Sequence, residues 1–552
     1  MKNVFVIFIA AIYLTNLNAQ LSQVDDLSSH VYFLSDDKLE GRGTGSEGEK
    51  MAQSYIASHF NEAGLKPYGE KGYIQPFNFT LGKKMVNTNF LNIENKALKL
   101  EDDYFPLVYA ANGFINSSIV NVGFGIDAGE LYNDYAELSK LEGKVFAINL
   151  SSPDGIHPHS KYKDYTDYKT RVSKAKEKGA VAVIFYNTEK HVDDPHYDIK
   201  RNVQDVELPV IFIQRPLNDL LKNNSKISLS IDMVKDERVG ENVIGFIDNR
   251  AENTIVIGAH YDHLGWGKDG GSLYKGKPTI HNGADDNASG VSIVIELAKH
   301  LKNSSNTKNN YLFICFSAEE LGLIGSKSFT LNPTIDLSSV NYMINFDMVG
   351  RLDEQTKKLS VGGVGTASAF QELIKNGKNN YVDLVTKQSG MGPSDHASFY
   401  LKNIPVLFLF TGTHADYHKP SDDSWKINFN GMQNILEYSA DLITKLDSRD
   451  KLVFQKTKDE SSQSRKRKFS VTLGVVPNYM FDGKGMKIDA VTEGKPAHTG
   501  GILAGDIVTR MGTVEITDMT AYMMALGKFK KGDSTKVEVL RNNGLRIINI
   551  TF

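Results

Sequence analysis

Thr254-Ile-Val-Ile-Gly-Ala-His260-Tyr-Asp262-His263 and, further on, Gly283-Ala-Asp285-Asp286-Asn-Ala-Ser-Gly290 decide how this 552-residue chain is read. Residues 254–259 are short, apolar and β-branched, the composition of a buried parallel strand. The run ends in His260. Ligands in open α/β sheets bind just beyond the carboxyl ends of strands, so an imidazole there is placed for chemistry. Asp262, two residues on, is near enough to orient it as a supporting carboxylate. The second segment sets two adjacent acids in a loop of small residues ahead of a helix over 291–301. Charges so close are costly unless a cation offsets them. A lone His-x-Asp is more often a hydrogen-bonded surface pair, so the rest of the chain has to decide.

Three further apolar strands end in the same kind of residue. Residues 311–317 lead to Glu319-Glu320, 340–346 to Asp347, and 404–411 to His414-Ala-Asp416-Tyr417-His418. Neighbouring side chains on an extended chain point to opposite sides, so the two glutamates are expected to do different jobs. One acid at a strand end is commonplace. Four strands each ending in imidazole or carboxylate are hard to assign to surface solvation. The mixture suits Zn²⁺ best and is compatible with Mn²⁺ or Co²⁺.

Outward from these strands, residues 1–19 read as a secretory signal, with an apolar run over 4–13 and a small residue, Ala19, before the cut. The run is too short to span a bilayer. The expectation is a soluble protein, secreted or periplasmic, with no membrane span. The single cysteine, Cys315, excludes an internal disulfide. The length suits roughly three domains, and a formal net charge of −3 excludes a polyelectrolyte signature, so no nucleic acid is expected as partner.

Residues 24–100 carry a helix pattern (Met51, Tyr55, Ile56, Phe60) closed by Gly64. Before it, Gly41-Arg-Gly-Thr-Gly-Ser-Glu-Gly48 lacks the preceding strand and following Lys-Ser/Thr of a phosphate loop, and reads as a connection that could line a pocket. Over 104–235 short strands (144–149, 181–186, 209–213) alternate with one basic helix, 168–178. His157, His159, His191 and His196 are scattered there among polar residues and read as solvated loops. Residues 451–468 are a polar, charged linker, whose basic end, 465–468, reads as solvated. The rest, 469–552, is β-rich.

These residues resemble a known family. His260-x-Asp262, Gly-Ala-Asp285-Asp-Asn-Ala-Ser-Gly, Glu319-Glu320, Asp347 and Tyr417-His418 look like the two-zinc aminopeptidases, relatives of bacterial leucyl aminopeptidases and of glutamate carboxypeptidase. The resemblance implies an α/β fold, a mixed, mostly parallel sheet sandwiched by helices, formed by 20–103 and 236–450. It implies two Zn²⁺ per chain: His260 and Asp347 on one, Glu320 and His418 on the other, and Asp285 bridging, with a cis peptide often following the bridging acid. Glu319 would be the general base, Asp262 the partner of His260, and Tyr417 a donor to the oxyanion. Asp395-His396 matches a further motif, taken as pocket wall. The insertion 104–235 resembles a protease-associated domain, perched as a lid. Leu473-Gly-Val-Val476 with Lys495-Pro-Ala-His-Thr-Gly-Gly-Ile-Leu-Ala-Gly-Asp506 resembles a PDZ domain, which would take a peptide or protein ligand as an added strand.

The function implied is hydrolysis of amino-terminal residues from peptide substrates. The alternatives are a carboxypeptidase of the same fold, for which Arg351 is the one arginine placeable near a ligand, and a non-enzymatic binding protein of the transferrin-receptor type. The presence of all five ligand positions argues against the latter.

Overall fold

A computed structural model describes residues 24–552 apart from 87, 156–159, 190–193, 196–204, 275, 458–470, 478–483, 492–493, 517–518 and 543. The signal segment 1–19, the four histidines 157, 159, 191 and 196, and the basic run 465–468 lie outside the described residues. The chain folds into two compact units, 79–238 and the remainder. It leaves the larger unit near Asn78 and returns at Val239.

The larger unit is built on a mixed ten-stranded sheet. Its centre is formed by β1 (Asn253–His260), β2 (Asn309–Phe316), β3 (Val340–Phe346) and β4 (Val406–Phe410). β1 pairs in parallel with β2 on one side and β3 on the other, and β3 pairs in parallel with β4. Antiparallel strands flank this block: Met233–Ile247 beside β2 and Lys358–Gly362 beside β4. Both faces are covered, which explains the unbroken apolar runs. Ile255, Ile257, Tyr311, Phe313 and Cys315 join one buried cluster, while Val256, Leu312, Ile314 and Phe316 join another on the opposite face. The first cluster also contains Ala52, Ile56 and Phe60 of α1 (Glu47–Glu62), much of α2 (Gly290–Lys302) and the inner side of α3 (Phe429–Asp447). Ser46 caps α1 by accepting from the Glu49 amide.

Residues 79–238 form an eight-stranded sheet of their own with a separate apolar core. The unit starts at Phe79, earlier than the composition shift near Tyr104. The reason is long-range pairing: Phe90–Ile93 joins Lys226–Ile231, with Ile93 opposite Ile227. The basic helix is present as Tyr168–Glu177, capped by Asp167.

The segment 451–457, expected as linker, is ordered against the sheet domain. Leu452 N–H donates to Asn341, Gln455 N–H to the Thr366 carbonyl, and Thr457 N–H to the Tyr400 hydroxyl. Beyond it, strands from Val475–Pro477 to Gly544–Thr551 and helices Pro496–Gly500 and Met519–Leu526 enclose a third core that includes Leu473, Ile488, Val508 and Val539. Asp506 is fixed there by Arg541, with both contacts at 2.8 Å. Among the described residues no helix is long and apolar enough to cross a membrane.

Candidate metal centre

Because β1 to β4 run parallel, their carboxyl ends share one edge, and the residues that follow converge there. His260 Nε2 lies 3.3 Å from Asp286 Oδ1 and 3.4 Å from Asp347 Oδ1. His418 Nε2 lies 3.3 Å from Asp286 Oδ2 and 3.2 Å from Glu320 Oε2. Two donor sets therefore share one carboxylate. Charge-assisted N–H···O⁻ bonds usually close to about 2.7–2.9 Å, so these four contacts are long for direct pairing. A tetrahedron with bonds of about 2.0–2.2 Å has edges of roughly 3.3–3.6 Å, so the spacing suits donors arranged around a common ion. The chemistry of the set, imidazole nitrogen with hard carboxylate oxygen, fits Zn²⁺ on both sides.

The shared acid is Asp286, not Asp285 as the family resemblance implied. Asp285 is turned the other way. Its Oδ1 accepts from the Gly350 amide at 2.6 Å and the Ser289 hydroxyl at 3.1 Å, and its Oδ2 faces His414 Nε2 at 3.1 Å. The cis peptide follows Asp286, joining it to Asn287. Asp422 Oδ2 accepts from the amides of both acids, at 2.9 and 3.1 Å, which holds the pair in this orientation.

Asp262 also differs from expectation. The group nearest His260 Nδ1 is the Asp262 carbonyl at 3.1 Å, whereas the carboxylate is 3.8 Å away. That carboxylate instead accepts from the Glu319 amide at 3.0 Å and from the Thr44 hydroxyl at 2.9 Å. Asp262 thus fixes the backbone of the Glu-Glu pair as well as the His260 loop.

The two glutamates do part. Glu320 reaches His418 and also His263 Nδ1, at 2.7 Å. Burial and the Asp286 charge push its pKa up, but His418 and His263 outweigh them and hold it down to about 2. Glu319 offers a carboxylate oxygen to the group formed with His260 and Asp347, whose donor atoms lie within 4.8 Å of one another. Burial raises the Glu319 pKa well above the usual range, with His260 opposing. Tyr417 stacks on His418, with ring centroids 3.8 Å apart. Burial, then the charges of Asp286 and Glu320, raise its phenol pKa far above normal, so it remains a proton donor.

Asp395 and His396 are both buried. Burial lifts the Asp395 carboxyl to about 7, with His260 opposing. His396 packs flat on Phe408 at 4.4 Å, and burial lowers its pKa to about 3. It is a neutral core residue. Sequence reasoning missed His263, whose place three residues after His260 was a signal, and Arg42 in the glycine-rich loop, which gave none.

Residues 242–443 match the model of peptidase family M28, and 452–552 match that of the PDZ domain. The chain is thus similar to peptidase family M28 over its middle part and to PDZ domains at its end. Aminopeptidase YwaD of Bacillus subtilis (strain 168) is 26% identical over 291 residues, 50% of this chain and 58% of that protein. A probable leucine aminopeptidase of Trichophyton verrucosum (strain HKI 0517) is 31% identical over 207 residues, 35% of this chain and 52% of that one. The chain thus spans little more than half the length of these relatives. An aminopeptidase from Aneurinibacillus sp. strain AM-1 aligns with a TM-score of 0.45 at 23% identity, covering 78% of this chain and 95% of that one.

Proposed function

We propose that this chain is an exported zinc-dependent aminopeptidase of the M28 type that removes amino-terminal residues from peptides. One observation carries the reading: two His–carboxylate sets share Asp286, with a further carboxylate, Glu319, beside the first set. His260, Asp286 and Asp347 would hold one zinc, and His418, Asp286 and Glu320 the other. Bound there, the ions would supply Lewis-acid activation of water and of the peptide carbonyl.

The chain's own groups supply the rest. The Glu319 carboxylate accepts a proton from the attacking water and delivers it to the leaving amine. The Tyr417 phenol, kept neutral and set by its stack on His418, donates to the carbonyl oxygen as charge develops there. A substrate amino terminus is drawn to the acid-rich edge formed by Glu319, Glu320 and Asp347, which restricts cutting to chain ends. Residues 1–19 are read as the export signal, 79–238 as a protease-associated module, and the PDZ domain as a site for a peptide or protein ligand.

The carboxypeptidase reading would need a cation for the substrate carboxylate. Arg351 is already committed, donating to Asp416 at 2.7 Å and to the Lys426 carbonyl at 2.8 Å. The deciding experiment incubates purified protein with aminoacyl anilides and with amino-terminally blocked peptides, with and without chelator. Chelator-sensitive release from the unblocked substrates alone is the expected result. Cleavage from the carboxyl end, or activity indifferent to chelator, would overturn the proposal.

A further inference from the structure

The glycine-rich loop left aside by the peptidase reading holds one of the largest fully buried side chains of the protein, Arg42. A buried guanidinium normally pairs with a carboxylate. Here every bond it makes ends on a backbone carbonyl. Nε donates to Tyr261 at 2.8 Å, one terminal nitrogen to Leu34 and to Asn282 (2.8 Å for the latter), and the other to Gly283 at 2.9 Å. Tyr261 lies between His260 and Asp262, and Gly283 lies three residues before Asp286. One planar fork therefore ties together the two loops that supply His260 and the shared acid Asp286.

The backbone of the same loop completes the grip. The Arg42 carbonyl accepts from the His263 amide at 3.1 Å, the Gly41 carbonyl from the Gly265 amide at 3.0 Å, and Thr44 donates to Asp262. Gly41 has φ +69°, and a Cβ there would lie 2.3 Å from the His281 carbonyl, so only glycine permits this approach. Burial lowers the Arg42 pKa to about 10, against the charges of Asp286, Asp262, Asp422 and Glu320, so the group is cationic at neutral pH.

We infer that Arg42 is a positioning residue of the metal centre: three of its four carbonyl bonds, to Tyr261, Asn282 and Gly283, set the spacing of the 260–263 and 282–286 loops, and hence the affinity for zinc. This rests on the reading of the site as a zinc centre. Two roles for Arg42 make opposite forecasts. As a charge alone, it repels a cation, so Arg42→Met would bind zinc more tightly and Arg42→Lys would match wild type. As a fork, it holds geometry that neither replacement reproduces, because lysine has a single point-like ammonium.

The test strips metal from wild type, Arg42→Lys and Arg42→Met by dialysis against chelator and titrates each with zinc by calorimetry. Hydrogen exchange of the metal-free proteins at 261–265 and 282–286 is followed alongside. Both variants should bind zinc about 10–100-fold more weakly, the range typical of outer supports of metal ligands, and exchange faster in those two segments. Wild-type affinity in Arg42→Lys, or tighter binding in Arg42→Met, would overturn the inference. If wild type itself bound no zinc, the zinc reading would be at fault. Should Arg42→Met fail to fold, Arg42→Lys and Thr44→Val carry the test, the latter expected to weaken zinc by less.

Discussion

Exchanging the two adjacent acids for asparagine, one at a time, tests the placement of the shared ligand most directly. Asp286 sends one oxygen toward His260 and the other toward His418, each at 3.3 Å. An amide keeps one acceptor oxygen, replaces the other with an NH₂ group that cannot ligate, and removes the charge. At least one ion position then loses its shared ligand outright. Asp285→Asn is milder. Its Oδ1 acceptor for the Gly350 amide survives, and the loss is confined to the His414 contact. A hydrogen bond to a charged group is worth about 1.5–3 kcal/mol, and about 1.4 kcal/mol is tenfold in an equilibrium constant. That places Asp285→Asn near a 10–100-fold loss in zinc affinity, recoverable by added zinc. Asp286→Asn should drop zinc content from about two per chain to about one or fewer and lose turnover that added zinc does not restore. Elemental analysis after desalting, together with anilide turnover across a zinc series, reads both quantities. Two retained zinc ions in Asp286→Asn, or the unrecoverable phenotype in Asp285→Asn instead, would return the bridge to Asp285 and refute the reasoning.

Glu319→Gln should lower turnover by about 10²–10⁴-fold at unchanged zinc content, whereas Glu320→Gln should lose activity and zinc together; elemental analysis with steady-state kinetics separates them. Gly283→Ala should destabilise by at least about 1–2 kcal/mol, because φ is +59° and a Cβ would lie 2.2 Å from the Asp286 carbonyl; thermal melting with zinc titration shows whether the loop shifts. Glu49 gives a pH prediction: burial raises its carboxyl from 4.5 to about 8, with Asp262 adding to the rise. Between those values the unfolded chain has released a proton that the folded one keeps, so this group's contribution falls as pH rises from about 4.5 to 8. Glu49→Gln should therefore flatten the melting temperature against pH across that window, and an unchanged slope would show that Glu49 is ionised in the fold.

Much of this protein is legible in one dimension because its chemistry sits at strand ends. Four apolar runs, each followed within a few residues by His or carboxylate, declare a sheet buried on both faces and a site at its carboxyl edge. No tertiary information is needed for that, since burial on both faces dictates composition and parallel order dictates which ends meet. The division between Glu319 and Glu320 was open to the same kind of reasoning. Which of two adjacent acids faces both His260 and His418 was not. Asp285 and Asp286 differ only in direction, and direction is set by Asp422, more than 130 residues away, through its bonds to both amides. The same holds for Asp262, whose carboxylate is drawn to Glu319 and Thr44 rather than to the nearby imidazole. The start of the second unit at Phe79 depends on pairing between strands far apart in the chain. Arg42 shows the limit most plainly: an arginine among glycines reads as a solvated loop until the fold surrounds it with carbonyls from three other segments. Periodicity and residue type carry what a strand or a metal needs locally. Orientation, and the partners of buried polar groups, come from distant backbone that only the folded chain brings within hydrogen-bonding reach.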